Sequence, residues 1–174
     1  LFLEEGRYDE AAEVAERAAG HAGEPSWSGV VPASLAVLAT VSLRQGQFDA
    51  SLERFGRARE AAKKDQLRAR HRLGKFLLRQ GRRPSAAMAA WSQRHLAWIR
   101  HVQFDQPAQE ATRLDYLHEV EHAAARLARL EHAIEEAVTT APPRMRAVIE
   151  ALQALRGIAQ ISAVTLVAEV GALS

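Results

Sequence analysis

The run from residue 108 to residue 141 contains neither glycine nor proline, and it restricts the fold of this chain more than any other feature. Its apolar residues recur at alternating three- and four-residue steps, which is the spacing of one face of an α-helix. The run therefore predicts one long helix over about residues 108–138, ended by Pro142 and Pro143 because proline cannot continue a helix. Only 10 glycines and 6 prolines occur in the 174 residues. We therefore predict an all-α protein.

Helical spacing also predicts several shorter elements. One helix covers about residues 53–80, and another carries the aromatic side chains of residues 91–102. Two short helices cover about residues 145–155 and 161–170, and Gly171 is placed to end the last of them.

The long helix over residues 108–138 carries a heptad-like seam, which is typical of a short coiled coil. Such a seam usually pairs with another helix, so we expect it to mediate self-association. The residues expected at this contact are Leu117, Val120, Ala124, Leu127 and Ile134.

Charge is segregated along the chain, although the formal net charge is only +2. Residues 1–56 carry four arginines against nine acids, residues 57–104 carry 13 Lys and Arg against two acids, and residues 105–174 carry six against ten. A basic block between two acidic blocks indicates a segment that faces nucleic acid. Steps of three and four residues place part of the block on one helical face. The residues of this predicted stripe are Arg68, Arg72, Lys75, Arg79 and Arg82.

Aromatic and basic side chains alternate in the helix around residues 91–102. Trp91, Trp98 and Val102 follow seven- and four-residue steps, with Arg94 and Arg100 among the flanking charges. Such a pattern allows two interpretations. The rings could stack on nucleic-acid bases, or they could form a core stripe with a charged outer face.

A short sequence pattern occurs twice in the first 56 residues. The run G-R-Y-D-E-A at residues 6–11 returns as G-Q-F-D-A-S at residues 46–51, with small and aromatic residues at helical spacing around the second glycine. This pattern resembles the tetratricopeptide repeat, in which antiparallel helices stack. The alternative is an ordinary alanine-rich helical hairpin. A weaker copy of the pattern at Gly81 would begin a third repeat, but Arg83 and Pro84 replace the aromatic residue expected there.

The stretch from His118 to His122 fits H-E-x-x-H, the zinc-protease pattern, with Glu119 as the base. The heptad seam places both histidines away from the packed face, and no third ligand is marked by its position. We therefore expect no metal site and keep a zinc hydrolase as the least favoured alternative.

The turn at residues 155–159 resembles the hairpin of helix-hairpin-helix DNA-binding modules, in which backbone N–H groups hold a phosphate. Arg156 and Gly157 would make this contact, although Ala159 replaces the second glycine of the usual pattern. The alternative is an ordinary corner between two helices.

Several classes of protein are disfavoured by composition. The chain has no cysteine, which excludes a disulfide framework, a thiolate zinc site and a cysteine nucleophile. No stretch approaches the roughly 20 apolar residues that span a bilayer, and no signal-peptide pattern follows Leu1. Since the first residue is not methionine, we expect a piece of a longer protein.

Beyond about residue 57 the chain resembles the middle of insertion-sequence-110-family transposases, also called the 110/116/902 group. The motifs that carry this likeness include F-D-Q-P-A-Q at residues 104–109 and A-L-Q-A-L-R-G-I-A at residues 151–159. Residues 162–171 resemble the opening of the C-terminal transposase domain of that family. The resemblance spans about two thirds of the chain, from about residue 57 onward. Within that span the matching stretches follow the family's order and are 58–79, 91–98, 104–109, 116–121, 125–131, 148–159 and 162–171.

The resemblance implies a known domain order. Family members have a resolvase-like domain with four metal-binding acids, then a coiled coil, then a domain with a nucleophilic serine. They recombine DNA at the ends of insertion elements under the guidance of a structured RNA. In this chain a tetratricopeptide-like segment stands where the resolvase-like domain would be, and the sequence stops as the C-terminal domain opens. Ser174 does not occupy the position of the nucleophile, so no catalytic residue carries over.

Three segments are therefore expected: a tetratricopeptide-like part (1–56), basic helices with a coiled coil (57–141) and a truncated C-terminal domain (142–174). The favoured function is that of a fragment of, or fusion to, a DNA transposase that keeps nucleic-acid binding and self-association. Its expected partners are DNA, a guide RNA and a second copy, in the bacterial cytoplasm, with no membrane contact. No cofactor is expected in this chain, although the complete family is divalent-metal-dependent. The alternative is a tetratricopeptide-type interaction module that binds a peptide through residues 1–56.

Overall fold

The computed structural model describes residues 6–20, 30–84 and 87–170. These residues form seven α-helices and no strand, which confirms the predicted all-α class. The helices are α1 (Tyr8–Ala19), α2 (Val30–Arg44), α3 (Phe48–Arg79), α4 (Gln93–His101), α5 (Pro107–Thr140), α6 (Pro143–Gln153) and α7 (Gln160–Val170). None of the described helices is long and apolar enough to cross a membrane. The expected helix end at Gly171 lies outside the described residues.

Helix α3 is longer than predicted, because it begins at Phe48 and continues past residue 56 without a break. Gly56 lies inside it, where one glycine weakens a helix without ending it. Helix α4 is shorter than predicted, since Trp91 and Val102 lie just outside its ends. The helix expected around residues 91–102 therefore covers only the middle of that stretch.

The chain divides into two compact units. Unit 1 holds the described residues up to Lys63 and those from Arg126 onward, and unit 2 is Lys64–Ala125. Helices α3 and α5 each contribute one half to unit 1 and the other half to unit 2. Residues distant in sequence thus pack together within each unit, and the three consecutive segments expected from the resemblances remain a prediction.

The core of unit 1 joins residues of α2, α3, α5, α6 and α7. Its largest fully buried side chains include Leu52, Ile134, Ile149 and Val164. Alanines at several positions in the same cluster leave room for close approach of the helices. The two long helices are also joined by a half-buried ion pair, in which Arg59 donates to Glu131 from Nε and Nη2 at 2.9 and 2.8 Å.

Two glycine turns of the same form precede α1 and α3. Gly6 and Gly46 have φ angles of +72° and +73°, which favour glycine, and a helix begins two residues after each of them. Gly81 also has a positive φ, of +67°, but residues 82–84 form no helix. The repeated sequence pattern therefore has a structural counterpart at Gly6 and Gly46, and no helix begins within residues 82–84, where the pattern lacks its aromatic residue.

Unit 2 is built around a smaller core from the second half of α3, α4 and the first half of α5. Leu73, Ile99 and Leu117 are buried at its centre, and Phe76 packs its ring 5.5 Å from that of Phe104. The side chain of Arg113 is also buried in this unit, where its charge and its N–H groups have partners. Its guanidinium donates to the carbonyl oxygen of Ile99 at 3.2 Å and pairs with Glu110, and this hydrogen-bonded pairing lowers the pKa of Glu110.

The predicted seam of α5 packs within the chain itself. Leu117 and Val120 belong to the core of unit 2, Ile134 belongs to the core of unit 1, and Leu127 packs against that core. Ala124 is half-buried. Self-association through these five side chains remains a prediction, and it would require them to exchange contacts in their own cores for contacts with another copy.

Candidate nucleic-acid interface

The second half of α3 has one buried and one basic side. Ala69, Leu73 and Leu77 are buried in the core of unit 2. Arg70 lies against the Trp91 ring. At 3.6 residues per turn, the other five cations of this half-helix lie within about 80° of one another on the side away from the buried residues. We call these residues, together with the cation just after the helix, the basic face. Its members, all exposed, are Lys64, Arg68, Arg72, Lys75, Arg79 and Arg82. All five residues of the predicted stripe belong to it.

The cations of the basic face differ in their partners. Arg68 pairs with Asp65 at 2.6 Å, and Arg72 pairs with Glu119 of α5 at 2.9 Å. Within the described parts of the chain, Lys75 and Arg79 form no ion pair, and the same holds for Lys64. These three charges are therefore the ones most available to an anionic partner.

One cation of the basic face has an aromatic neighbour. The guanidinium carbon of Arg82 lies 5.1 Å from the ring centroid of Phe104, a cation–π distance. The side chains of Leu67 and Leu78 are each 54% exposed beside the cations. The surface next to the cations is thus aliphatic, which suits contacts to phosphate and sugar better than stacking on bases.

The tryptophans predicted as stacking candidates belong to the core stripe instead. Trp91 and Trp98 are half-buried and pack against the core of unit 2. The Arg70 guanidinium lies 5.5 Å from the Trp91 ring centroid, and the His95 ring stacks on Trp98 with centroids 5.6 Å apart. Their rings are therefore occupied by protein contacts, so the structure supports the core interpretation over base stacking.

The turn that leads into α4 contains a feature that sequence reasoning missed. Trp91 has a φ of +63°, which is costly for a bulky residue. Its N–H donates to Nδ1 of His95 at 3.0 Å, and the N–H of His95 donates to the Oγ of Ser92 at 3.2 Å. The bond to Ser92 is an ordinary N-cap, and the bond to His95 satisfies the N–H of the residue before that cap. The spacing S-x-x-H could have suggested the cap, but not the backbone conformation of Trp91.

The H-E-x-x-H stretch has the surroundings of an exposed helix surface. His118 and His122 are exposed, and Glu119 is engaged by Arg72. In the described part of the chain, no three His, Asp or Glu side chains lie close enough together to hold a metal ion. The zinc hydrolase stays the least favoured alternative.

The corner between α6 and α7 has the form expected of a tight hairpin. Gly157 has a φ of +92°, and the N–H of Ile158 donates to the carbonyl of Leu155 at 3.2 Å. Arg156 is exposed beside the glycine. The corner thus places one cation next to the start of α7, but this geometry is also that of an ordinary helical corner.

A groove in unit 1 is a second candidate site. It has a volume of about 750 Å³ and lies between α2, the start of α3 and the second half of α5. A cavity of about 300 Å³ shares the lining residues Thr40, Phe55 and Ala133 with it, so the two adjoin at these side chains, and we refer to both together as the groove of unit 1. Sequence reasoning anticipated a peptide groove within residues 1–56 but not the contribution of α5.

The two surfaces offer different chemistry, since the basic face presents cations and the groove combines apolar side chains with charged ones such as Glu135 and Glu136. Comparisons with models of protein families, with curated proteins and with solved structures find no match to this chain.

Proposed function

We propose that this chain binds nucleic acid through the basic face and that it derives from the middle region of an insertion-sequence-110-family DNA transposase, which it resembles. The observation that supports this most is the row of exposed cations on α3, of which Lys64, Lys75 and Arg79 have no ion-pair partner in the described residues. A row of this kind places positive charge at every helical turn, about 5.4 Å apart, along one line. Phosphate groups along a nucleic-acid strand are the natural counterpart.

The binding mode follows from the chemistry of the face. Lys and Arg contacts to phosphate fix position without reading sequence. Arg68 and Arg72 are partly compensated by Asp65 and Glu119, so they contribute less than the unpaired cations. About four effective phosphate contacts would give a slope of log K against log salt near −3.6. Affinity would then fall about 10²-fold between 0.05 and 0.2 M salt.

In this proposal the chain takes part in DNA transposition, and its ligands are DNA and a structured guide RNA. The chain would be a fragment of, or a fusion to, such a transposase. No catalytic residue is assigned to it, and no metal or cofactor is part of the proposal. The Arg156 corner would add one further phosphate contact.

Self-association is the second property proposed from the resemblance. Because Leu117, Val120 and Ile134 lie in the cores of the chain, a dimer through α5 would have to form by exchange of helices between copies. Sedimentation velocity over a range of concentrations tests this. A single monomeric species at all concentrations would contradict it.

An electrophoretic mobility-shift experiment tests nucleic-acid binding directly. The chain is titrated into labelled duplex DNA and into a structured RNA at several salt concentrations. We expect binding of both with a steep dependence on salt, and weaker binding without change in sequence preference when Arg68, Arg72, Lys75 and Arg79 are replaced by alanine. Absence of salt-sensitive binding to either ligand would refute the proposal.

A second candidate function is favoured by the groove in unit 1, namely a tetratricopeptide-type module that binds a helical peptide. Removing residues 1–56 is not a suitable test, because Leu52 and Phe55 belong to the core that also contains Ile149. Filling the groove with Ala133→Leu is a milder change. It should abolish peptide binding, measured by fluorescence anisotropy, and leave nucleic-acid binding intact.

A further inference from the structure

The groove of unit 1 has an apolar lining that extends over several turns of two helices. Phe48 and Phe55 of α3 form its base, and Ala36 and Ala133 line its sides, from α2 and α5. Small side chains on the walls allow another helix to approach closely, and aromatic rings below offer apolar contact. The lining therefore favours the apolar side of a helix over an extended polar strand.

The threonines of the groove also present apolar surface. The hydroxyl of Thr40 donates to the carbonyl of Ala36 at 2.9 Å, and that of Thr139 donates to the carbonyl of Glu135 at 2.9 Å. The hydroxyl of Thr140 donates to its own helix in the same way. Since these donors are satisfied within their helices, mainly methyl groups remain for a ligand.

The two ends of the groove differ in charge. Arg126 and Arg129 line the cavity at the end where α2 begins. Glu135 and Glu136 line the other end, where Arg44 lies across from them on α2. The acids contact His132 at 3.9 and 3.6 Å but form no ion pair with Lys or Arg in the described residues. The groove thus runs from a basic end to a mainly acidic end.

The spacing of the charged side chains sets the length of the occupant. Arg129 and Glu136 lie seven residues apart on α5, a rise of about 10 Å, which matches the charged turns of a helix of about 11 residues. Helices commonly carry acids in the first turn and bases in the last turn, because these charges suit the helix dipole. A helix with that ordinary distribution matches both ends of the groove when it runs parallel to α2 and α5.

We propose that the groove binds an amphipathic helix of a partner protein, with its acidic first turn at Arg129 and its basic last turn at Glu135 and Glu136. This inference rests on the second candidate function, the peptide-binding module, and adds the chemistry and the direction of the ligand. The apolar side of the helix contacts Phe55 and the small residues of the walls. The charges at the ends set its direction, as rim charges do in other helix-in-groove complexes.

The test uses two labelled synthetic helices of about 11 residues and the full chain. The first has leucines at helical spacing, two glutamates in its first turn and two lysines in its last turn. The second has the same composition with the charged pairs exchanged. Fluorescence anisotropy gives the affinity of each peptide for the wild type and for Arg129→Glu, with Arg144→Glu as a matched control because Arg144 is exposed on α6 outside the groove.

We expect the acid-first peptide to bind about three-fold or more tightly than the exchanged peptide, a difference typical of exposed rim charges. Arg129→Glu should reverse or abolish that preference, and Arg144→Glu should leave it unchanged. Ala133→Leu should abolish binding of both peptides. If the Ala133→Leu protein loses its helical circular-dichroism signal, Ala36→Leu is used in its place to fill the groove. If both peptides bound equally well and the groove-filling variant blocked both, the inferred direction would be wrong but the peptide-binding function would stand. Absence of binding by either peptide would overturn both.

Discussion

Replacing Lys75 and Arg79 by alanine removes two exposed cations that have no ion-pair partner in the described residues. Because each phosphate contact contributes about 0.9 to the slope of log K against log salt, the double variant should reduce its magnitude by about 1.8. The same relation gives a loss of about 30-fold in affinity at 0.15 M salt. Alanine is the best helix former, so the helix itself should remain intact.

The assay is fluorescence anisotropy of a labelled DNA duplex, repeated at four or more salt concentrations for each protein. The matched control is the double variant Arg17→Ala with Arg144→Ala, which removes the same charge from exposed positions on α1 and α6. In the wild type Arg17 pairs with Glu13 one turn earlier. Circular dichroism should confirm that both variants keep their helical content.

The control should keep the slope of the wild type, because its arginines lie outside the basic face. If both double variants lowered the slope equally, binding would depend on total charge and not on this surface. If neither variant changed the slope, the basic face would not contact phosphate. Either result would refute the assignment of the interface to α3.

Three further predictions concern stability. Leu73→Ala should lower the free energy of unfolding by about 3 kcal/mol because Leu73 is fully buried. Leu67 is exposed, so Leu67→Ala should change that free energy by less than about 0.5 kcal/mol. Equal effects of the two substitutions in urea denaturation would contradict the packing of unit 2. Gly56→Ala should raise the thermal midpoint, because a helical Cβ there meets open space. Since Arg113 lowers the pKa of Glu110, the pair stabilises the fold above the unfolded carboxyl pKa of about 4.3 and is lost as pH falls through the lowered value. The advantage of wild type over Glu110→Gln should therefore vanish in acid, and a difference that persists there would argue against the pair.

The long helices were predictable because their segments lack helix breakers over many turns. The run from residue 108 to residue 141 left no local alternative to α5, and α6 and α7 followed from Pro142 and Gly157. The start of α3 was less evident, because Gly56 and the change in charge near it suggested a boundary. A single glycine costs a helix only about 1 kcal/mol, and packing of Leu52 and Phe55 outweighs that cost.

The division into two units was not predictable from local pattern. The pairs Arg59–Glu131 and Arg72–Glu119 join residues that are 72 and 47 positions apart. Periodicity reports which face of a helix is buried but not which distant helix covers it. For the same reason the seam of α5 predicted burial correctly at Leu117 and Ile134 without showing that the covering residues belong to the same chain.

The candidate interface was predictable in part. Steps of three and four residues placed Arg68 to Arg79 on one side of a helix, and the structure leaves that side exposed. Its partial neutralisation by Glu119 depends on the neighbouring helix and could not be inferred. Trp91 was assigned to a helix because its spacing is helical, but its φ of +63° depends on a bond to His95 that no spacing rule describes.

Lysine footprinting tests the central claim most directly, since the chain has only three lysines, Lys63, Lys64 and Lys75, all on α3. Lys75 lies about 20° from Lys64 around the helix, whereas Lys63 lies about 100° from Lys64. Acetylation is measured by mass spectrometry with and without saturating duplex DNA at low salt. Protection of Lys64 and Lys75, with Lys63 still reactive, is the result expected if the basic face binds phosphate. Equal modification of all three lysines with and without DNA would contradict it.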